Sequence, residues 1–162
     1  MGYCEFPPRS FEAGPDTPGT AWSVDEQVVA DIKAARPQAD LVMPFMHWGE
    51  EGEPEPSDRQ RDLARKMIDA GADVVVGGHP HITQGTEYYR GHLIVYSLGN
   101  FVFDDFDDEP GKTGWILRLW FDRDGLAKWD TRVAHMDEQG IPHPRRNTKS
   151  PSGTRQVSRA DR

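Results

Sequence analysis

Three histidines stand directly after apolar stretches of the sequence, where functional side chains collect in α/β proteins. His47 closes the stretch LVMPFMH, and His79 and His81 follow DVVVGG with one proline between them. In extended backbone, residues i and i+2 point to the same side, so His79 and His81 can face one cleft. Neutral imidazole is the commonest metal ligand in proteins. The pattern predicts a divalent transition metal (Mn, Zn or Fe, with its identity open) bound by His47, His79 and His81.

Two further residues follow the same stretches and are candidate catalytic helpers. Glu51 comes four residues after His47 and could act as a base or orient a ligand. Asn100 ends the stretch SLGN and could orient a substrate oxygen. Each also has a plainer interpretation, a solvated loop acid for Glu51 and a turn cap for Asn100. The acidic run between Asp104 and Glu109 lacks the spacing of a calcium loop, which favours a solvated acidic loop.

Helices and strands alternate in the part of the chain that carries these histidines. Ser23 with Glu26, and Ser57 with Gln60, have the spacing of capping boxes at the start of two helices. Pro37 predicts the end of the first helix, and Gly71 that of the second. Each helix is followed by an apolar stretch. The order helix, strand, helix, strand predicts an α/β layer structure with a buried parallel sheet.

The remaining segments are predicted from turns and composition. Pro44 interrupts the first strand and indicates an edge position or a bulge. Arg90-Gly91 and Asp124-Gly125 mark the turns of two strand pairs. Residues 1–22 lack periodicity and are predicted to be an irregular loop, which makes residues 23–141 the ordered domain. Residues 142–162 lack an apolar pattern and are predicted to be a disordered tail.

Charge and composition exclude several classes of protein. The net charge of −8 argues against nucleic acid as the main partner. Cys4 is the single cysteine, so an intrachain disulfide is excluded. No stretch reaches the roughly 20 apolar residues of a membrane span, and the compartment stays open. The tail carries six basic residues against Asp161 alone, which gives +5 and fits a solvated terminus or an anion-binding arm.

Three stretches together resemble the CapA family, the poly-γ-glutamate capsule biosynthesis proteins of the calcineurin-like metallophosphoesterase superfamily. They are HWGEE, QRDLARKMIDAGADVVVGGHPHITQG and GHLIVYSLGNFVFD. The resemblance implies part of a four-layer α-β-β-α sandwich and a metal-dependent phosphoesterase-like site for a phosphoester or polyglutamate-related substrate. The resemblance implies that His79 and His47 are ligands of one metal and that His81 is a ligand of the neighbouring metal. It also implies that Glu51 is the acid that follows HWG in the family.

One part of the superfamily pattern has no counterpart here. The superfamily site also uses an early aspartate, a bridging carboxylate and an asparagine or acid, and no matching element precedes residue 40. We therefore expect the chain to be the C-terminal half of such a protein, with an incomplete site and an exposed sheet edge that favours self-association. The family is often membrane-anchored through the other half. Two alternatives are a non-catalytic fragment that binds a metal or a partner, and a general metallophosphoesterase unrelated to capsule.

Overall fold

The chain folds into three layers, namely a pair of helices, a five-stranded sheet and a four-stranded sheet. The computed structural model describes residues 1–6, 8–105, 108–145 and 148–155. The α-helices are α1 (Asp25–Ala35) and α2 (Asp58–Asp69). The strands of the first sheet are β1 (Gly2–Cys4), β2 (Phe45–His47), β3 (Val74–Gly78), β4 (Thr86–Tyr89) and β5 (His92–Val95). Those of the second are β6 (Thr113–Asp122), β7 (Gly125–Met136), β8 (Pro142–Pro144) and β9 (Ser152–Thr154).

The first sheet has the order β1-β2-β3-β5-β4, and only β4 is antiparallel to its neighbour. Strand β2 pairs with β3 so that His47 lies beside Gly78, which brings both carboxyl ends to the same level. The edge or bulge predicted from Pro44 is wrong, because β2 lies between β1 and β3. Pro44 precedes the strand, and its carbonyl accepts a hydrogen bond from Val76 N at 3.2 Å, so its missing N–H costs no ladder bond.

Alternating valines in β3 join the three layers. Val75 packs into the core between the first sheet and the helices, with Leu63 and Met67 of α2. Val74 and Val76 point the other way and pack with Trp129 of the second sheet. All three valines are buried, and each contributes about 1.5–3 kcal/mol by leaving water. The resulting order of helix, sheet and sheet agrees with the partial α/β sandwich predicted from the sequence.

The two predicted capping boxes have different outcomes. Ser57 and Gln60 form theirs, with side chain to backbone bonds in both directions. The prediction for Ser23 is wrong, because α1 begins after Val24 and the Ser23 hydroxyl is buried without a partner among the described residues. The backbone N–H of Ser23 donates to Cys4 O at 2.9 Å, which ties this residue to β1 instead of the helix terminus.

Both predicted irregular segments contain strands. Within residues 1–22, Gly2–Cys4 forms β1 and pairs in parallel with β2. The predicted disorder of residues 142–162 is wrong for β8 and β9, which both pair with β7. Residues 146–147 and 156–162 lie outside the described residues. An apolar pattern is not needed for this pairing, because a sheet edge is held by backbone hydrogen bonds.

The edges and turns of the sheets follow from local backbone geometry. Arg90 and Gly91 both have positive φ, at 49° and 83°, which confirms the tight turn between β4 and β5. Cys4 N donates to Ala21 O at 2.9 Å, so the segment before α1 covers the outer edge of β1 at this residue. Self-association through a sheet edge stays a prediction. No helix in the described part of the chain has the length and apolar character needed to cross a membrane.

Candidate metal centre

The ends of β2 and β3 bring the three predicted histidines to one place. The ring centroids of His47 and His79 are 4.5 Å apart, and those of His79 and His81 are 5.7 Å apart. Trp48 N donates to Gly78 O at 3.1 Å, which holds the two strand ends together just beyond the pairing of His47 with Gly78. The convergence predicted from the sequence is therefore present.

The backbone that carries His79 and His81 differs from the extended segment on which their prediction rested. Strand β3 ends at Gly78, and the two histidines have φ values of 99° and 62°. Residues with a Cβ adopt such values at a cost of about 1–3 kcal/mol each, and this strain concentrates at functional sites. Gly52 N donates to Pro80 O at 2.8 Å and fixes the loop between the histidines. The turn, not a strand, directs both rings to one cleft.

Glu51 belongs to the group of candidate ligands. One ligand atom each from Glu51, His79 and His81 lie within 4.8 Å of one another, and Glu51 Oε1 is 3.9 Å from His81 Nε2. His47 stands outside this group and packs its ring against His79. Two imidazoles and a carboxylate are donors that suit manganese, zinc and iron. The residues present therefore fit a divalent metal, with Glu51 as a candidate ligand besides His79 and His81, and the predicted ligand role of His47 stays a prediction.

Asn100 contacts a candidate ligand directly. Its Oδ1 lies 2.8 Å from His81 Nδ1, and its Nδ2 donates to Gly111 O at 2.9 Å. Because Nδ2 acts as the donor to Gly111, Oδ1 is the acceptor and His81 carries its proton on Nδ1. This tautomer presents the Nε2 lone pair on the side of Glu51, which is how a metal-binding histidine is usually held. Asn100 thus positions His81, and the orientation of a substrate oxygen by Asn100 stays a prediction.

Burial favours the neutral form of His47 and His79, which is the form that binds metals. Burial lowers the pKa of His47, and the nearby His81 lowers it further, against the opposing charge of Glu51. Burial also lowers the pKa of His79, with an added contribution from His47. A histidine whose pKa lies below about 6.5 is neutral at pH 7. Both rings therefore have a free lone pair to offer without first losing a proton.

A buried pair of glutamines holds the acidic loop of residues 50–56 over the site. Gln60 Nε2 donates to Gln84 Oε1 at 2.9 Å, and Gln84 Nε2 donates to the carbonyls of Glu53 and Glu55 at 2.9 and 3.3 Å. Both glutamine side chains are almost completely buried. Gln84 is not predicted from the sequence, since a single glutamine after HPHIT carries no signal that distinguishes it from a loop residue.

Two phenylalanines flank the histidines, and sequence reasoning missed them as well. The ring of Phe6 lies 4.4 Å from that of His79, and the ring of Phe103 lies 4.9 Å from that of His81. Both are large apolar side chains that stay partly exposed. Each adds apolar surface beside a different histidine of the cluster, Phe6 at His79 and Phe103 at His81.

Residues 2–105 match the family described as bacterial capsule synthesis protein PGA_cap, and all the site residues lie within this range. The chain is similar to the PGA biosynthesis protein CapA of Bacillus subtilis, with 46% identity over 64% of this chain and 27% of that protein.

Two further relatives share shorter or more distant similarity. The capsule biosynthesis protein CapA of Bacillus anthracis is 58% identical over 41% of this chain and 16% of that protein. A probable polyglutamine synthesis accessory protein of Mycobacterium tuberculosis is 32% identical over 64% of this chain and 29% of that protein. The chain thus spans less than a third of the length of these relatives. It belongs to the bacterial capsule synthesis protein family PGA_cap.

Proposed function

We propose that this chain supplies the histidine-rich half of a metal-dependent phosphoesterase-like site in a protein of poly-γ-glutamate capsule synthesis. The observation that supports it most strongly is the convergence of ligand atoms from Glu51, His79 and His81 within 4.8 Å. The capsule role rests on the names of the Bacillus relatives and on the family match.

Each residue has a distinct task in this proposal. Glu51, His79 and His81 hold the metal, and Asn100 fixes the tautomer of His81 through its 2.8 Å hydrogen bond. Gln84 keeps the loop of Glu51 in place. A divalent cation in such a site polarises a phosphoryl oxygen and activates water at neutral pH.

The charge of the ligand set favours one metal instead of two. Glu51 supplies a single negative charge, and the histidines supply none. Two divalent cations about 4 Å apart repel by roughly 15 kcal/mol at an effective dielectric constant of about 20, unless anionic ligands lie between them. Among the described residues, this is the one group of three or more suitable side chains. We propose that the carboxylates of a two-metal site come from sequence outside these 162 residues.

The same observation favours a second candidate function, which is metal binding without turnover. The two are separated by measuring metal stoichiometry and hydrolysis of a phosphodiester on the 162-residue chain and on Bacillus subtilis CapA that carries residues 2–105 of this chain in the aligned segment, each loaded with manganese or zinc. We expect one bound metal with little turnover for the chain alone, and two metals with turnover for the chimera. A chimera without turnover would favour metal binding without catalysis. The matched control is His135→Ala/His143→Ala, which removes two histidines outside the cluster. Two metals and rapid hydrolysis for the 162-residue chain alone would show a complete site and contradict the proposal.

The capsule role is tested separately in a host that makes the polymer. We expect a Bacillus subtilis CapA chimera that carries residues 2–105 of this chain in the aligned segment to restore poly-γ-glutamate production in a CapA-deficient strain. The same chimera with His79→Ala should not restore it, although an immunoblot should show equal amounts of both. Equal restoration by both would contradict a role for the metal centre, and failure of the first at normal abundance would favour a general phosphoesterase.

A further inference from the structure

A groove on the second sheet lies outside the segment that matches the family. It has a volume of about 730 Å³, and Arg132, Arg145 and Thr148 are among the residues that line it. The matched segment ends at residue 105, whereas the groove begins at residue 131. Arg145 and Thr148 of the basic C-terminal segment therefore belong to a defined surface.

The groove exists because two short strands share one edge of β7. Strand β8 pairs with residues Ala134–Met136, and β9 pairs with Lys128–Asp130. Between these two pairings, Arg145 N donates to Val133 O at 2.9 Å, Thr131 N donates to Pro151 O at 3.0 Å, and Ser150 Oγ donates to Thr131 O at 2.8 Å. The groove is lined here by Arg132 of β7 and by Arg145, Thr148 and Ser150.

The cations at this groove lack the carboxylate partners that other arginines of the sheet have. Arg118 makes two bonds of 2.6 Å to Asp130, and Arg155 pairs with Asp122. Arg132 and Arg145, which line the groove, are exposed and form no ion pair within the described ranges. The positive charge of the groove is therefore available to a ligand.

The outer face of the second sheet extends this positive charge. The ammonium group of Lys128 lies 4.9 Å from the ring centre of Trp120, and Arg118 lies over the same ring at 5.2 Å. Asp130 is the acid between them. Arg118 lowers the pKa of Asp130 most, and Lys128 and Arg132 add to the effect. Three cations thus surround one carboxylate beside the groove.

The metal centre has the opposite charge at its rim. The loop before α2 carries four glutamates, and the loop after β5 carries Asp104 and Asp105. A polyanion is repelled from this rim, in a chain whose net charge is −8. The groove with Arg132 and Arg145 is therefore the better place for an anionic polymer.

We propose that this groove binds a carboxylate-rich polymer, which under the proposed capsule function is poly-γ-glutamate. A guanidinium group donates two parallel hydrogen bonds to a carboxylate, so Arg132 and Arg145 can each take a side chain of an extended polymer. Trp120 is 41% exposed beside these cations and offers apolar surface to the methylene groups of the chain. The identity of the polymer rests on the proposed function, but the binding needs no metal.

The test measures binding of poly-γ-glutamate of defined length to the 162-residue protein by titration calorimetry in a buffer with EDTA. The double variant Arg132→Ala/Arg145→Ala is expected to bind at least about 10-fold more weakly. The matched control is Lys33→Ala/Arg123→Ala, which removes the same charge from α1 and from the turn before β7, and we expect less than a twofold change. Thermal melts establish that both variants fold.

Each outcome supports or overturns the proposal. Absence of binding by the wild-type protein, or an equal loss in both variants, would overturn it. Binding of a DNA duplex of the same charge as tightly as poly-γ-glutamate would show a surface for polyanions in general and contradict the choice of polymer. Because EDTA removes metal, failure of the phosphoesterase proposal leaves this result unaffected, and loss of polymer binding leaves the metal stoichiometry unaffected.

Discussion

Two groups of histidines in this chain differ in how they are held. At the candidate metal centre, His79 and His81 follow β3 on strained backbone and share their surroundings with one carboxylate, Glu51. On the second sheet, His135 and His143 lie opposite each other on β7 and β8. Each has its own acid, as His135 Nε2 lies 3.0 Å from Glu109 and His143 Nε2 lies 2.7 Å from Asp137.

The difference shows what makes a histidine pair suitable for a metal. An imidazole that is paired one to one with a carboxylate at the surface has its ring nitrogen occupied. The rings at β3 are packed against one another, and burial lowers the pKa of His79, which keeps the ring neutral. Asn100 binds His81 through Nδ1, which fixes the direction in which Nε2 points. Proximity is common to both groups, and only the first combines burial with converging ligand atoms.

The largest expected effect distinguishes the two groups by metal affinity. His79→Ala/His81→Ala should weaken zinc or manganese binding by more than about 100-fold, beyond the 10- to 100-fold loss typical when a ligand loses a supporting hydrogen bond. His135→Ala/His143→Ala should change it less than about twofold. Titration calorimetry at pH 7.5 measures both. Equal losses in the two variants would contradict the contrast between the groups.

The role of Asn100 is tested by two substitutions, of which only one keeps a hydrogen-bond acceptor for His81 Nδ1. Asn100→Ala removes the acceptor for His81 Nδ1 and should weaken metal binding by about 10- to 100-fold. Asn100→Asp keeps an acceptor at this position and should retain most of the affinity, although both variants lose the bond to Gly111. If the two variants lose affinity equally, the bond to Gly111 and not the orientation of His81 is the important contact.

Deletion of residues 142–162 tests the second group of histidines, the one on the second sheet. It removes β8 with His143, and β9, and exposes the edge of β7. We expect the melting temperature to fall by more than about 5 °C, which for a domain of this size corresponds to roughly 1 kcal/mol or somewhat more. Metal affinity should stay the same. An unchanged melting temperature would mean that β8 and β9 add little to the stability of the sheet.

The smallest effect concerns the surface pair of His143 and Asp137. His143 lowers the pKa of Asp137, and the backbone N–H of Ile141 adds to the effect. A carboxylate with a lowered folded-state pKa contributes stability above its unfolded pKa, and this contribution is lost as the pH falls through the folded pKa. His143→Ala should raise the pKa of Asp137 toward its ordinary value in an NMR titration, with no measurable change of melting temperature at pH 7. A pKa that does not move would show that the backbone bonds hold it instead.

Local signals in the sequence were enough for most of the fold. The Ser57 capping box, the Arg90-Gly91 turn and the all-apolar strand before Gly77 each depend on residues a few positions apart, and each is confirmed. The same holds for the histidines at the strand ends, because an α/β order places strand ends together. Ser23 shows the limit of such signals, since its spacing to Glu26 fits a cap but its backbone is bound to Cys4.

Contacts between distant residues decided the rest of the candidate site. Asn100 is 19 residues from His81 and Gln84 is 24 residues from Gln60, so no periodicity connects them. Glu51 looked like a solvated loop acid until the loop was placed by Gln84 and by the bond from Gly52 to Pro80. The sequence by itself determined the helices α1 and α2, the strands β2 and β3, and which histidines follow these strands. Only the tertiary structure decided which other side chains lie close to these histidines, because the loops are positioned by hydrogen bonds between residues that are far apart in the sequence.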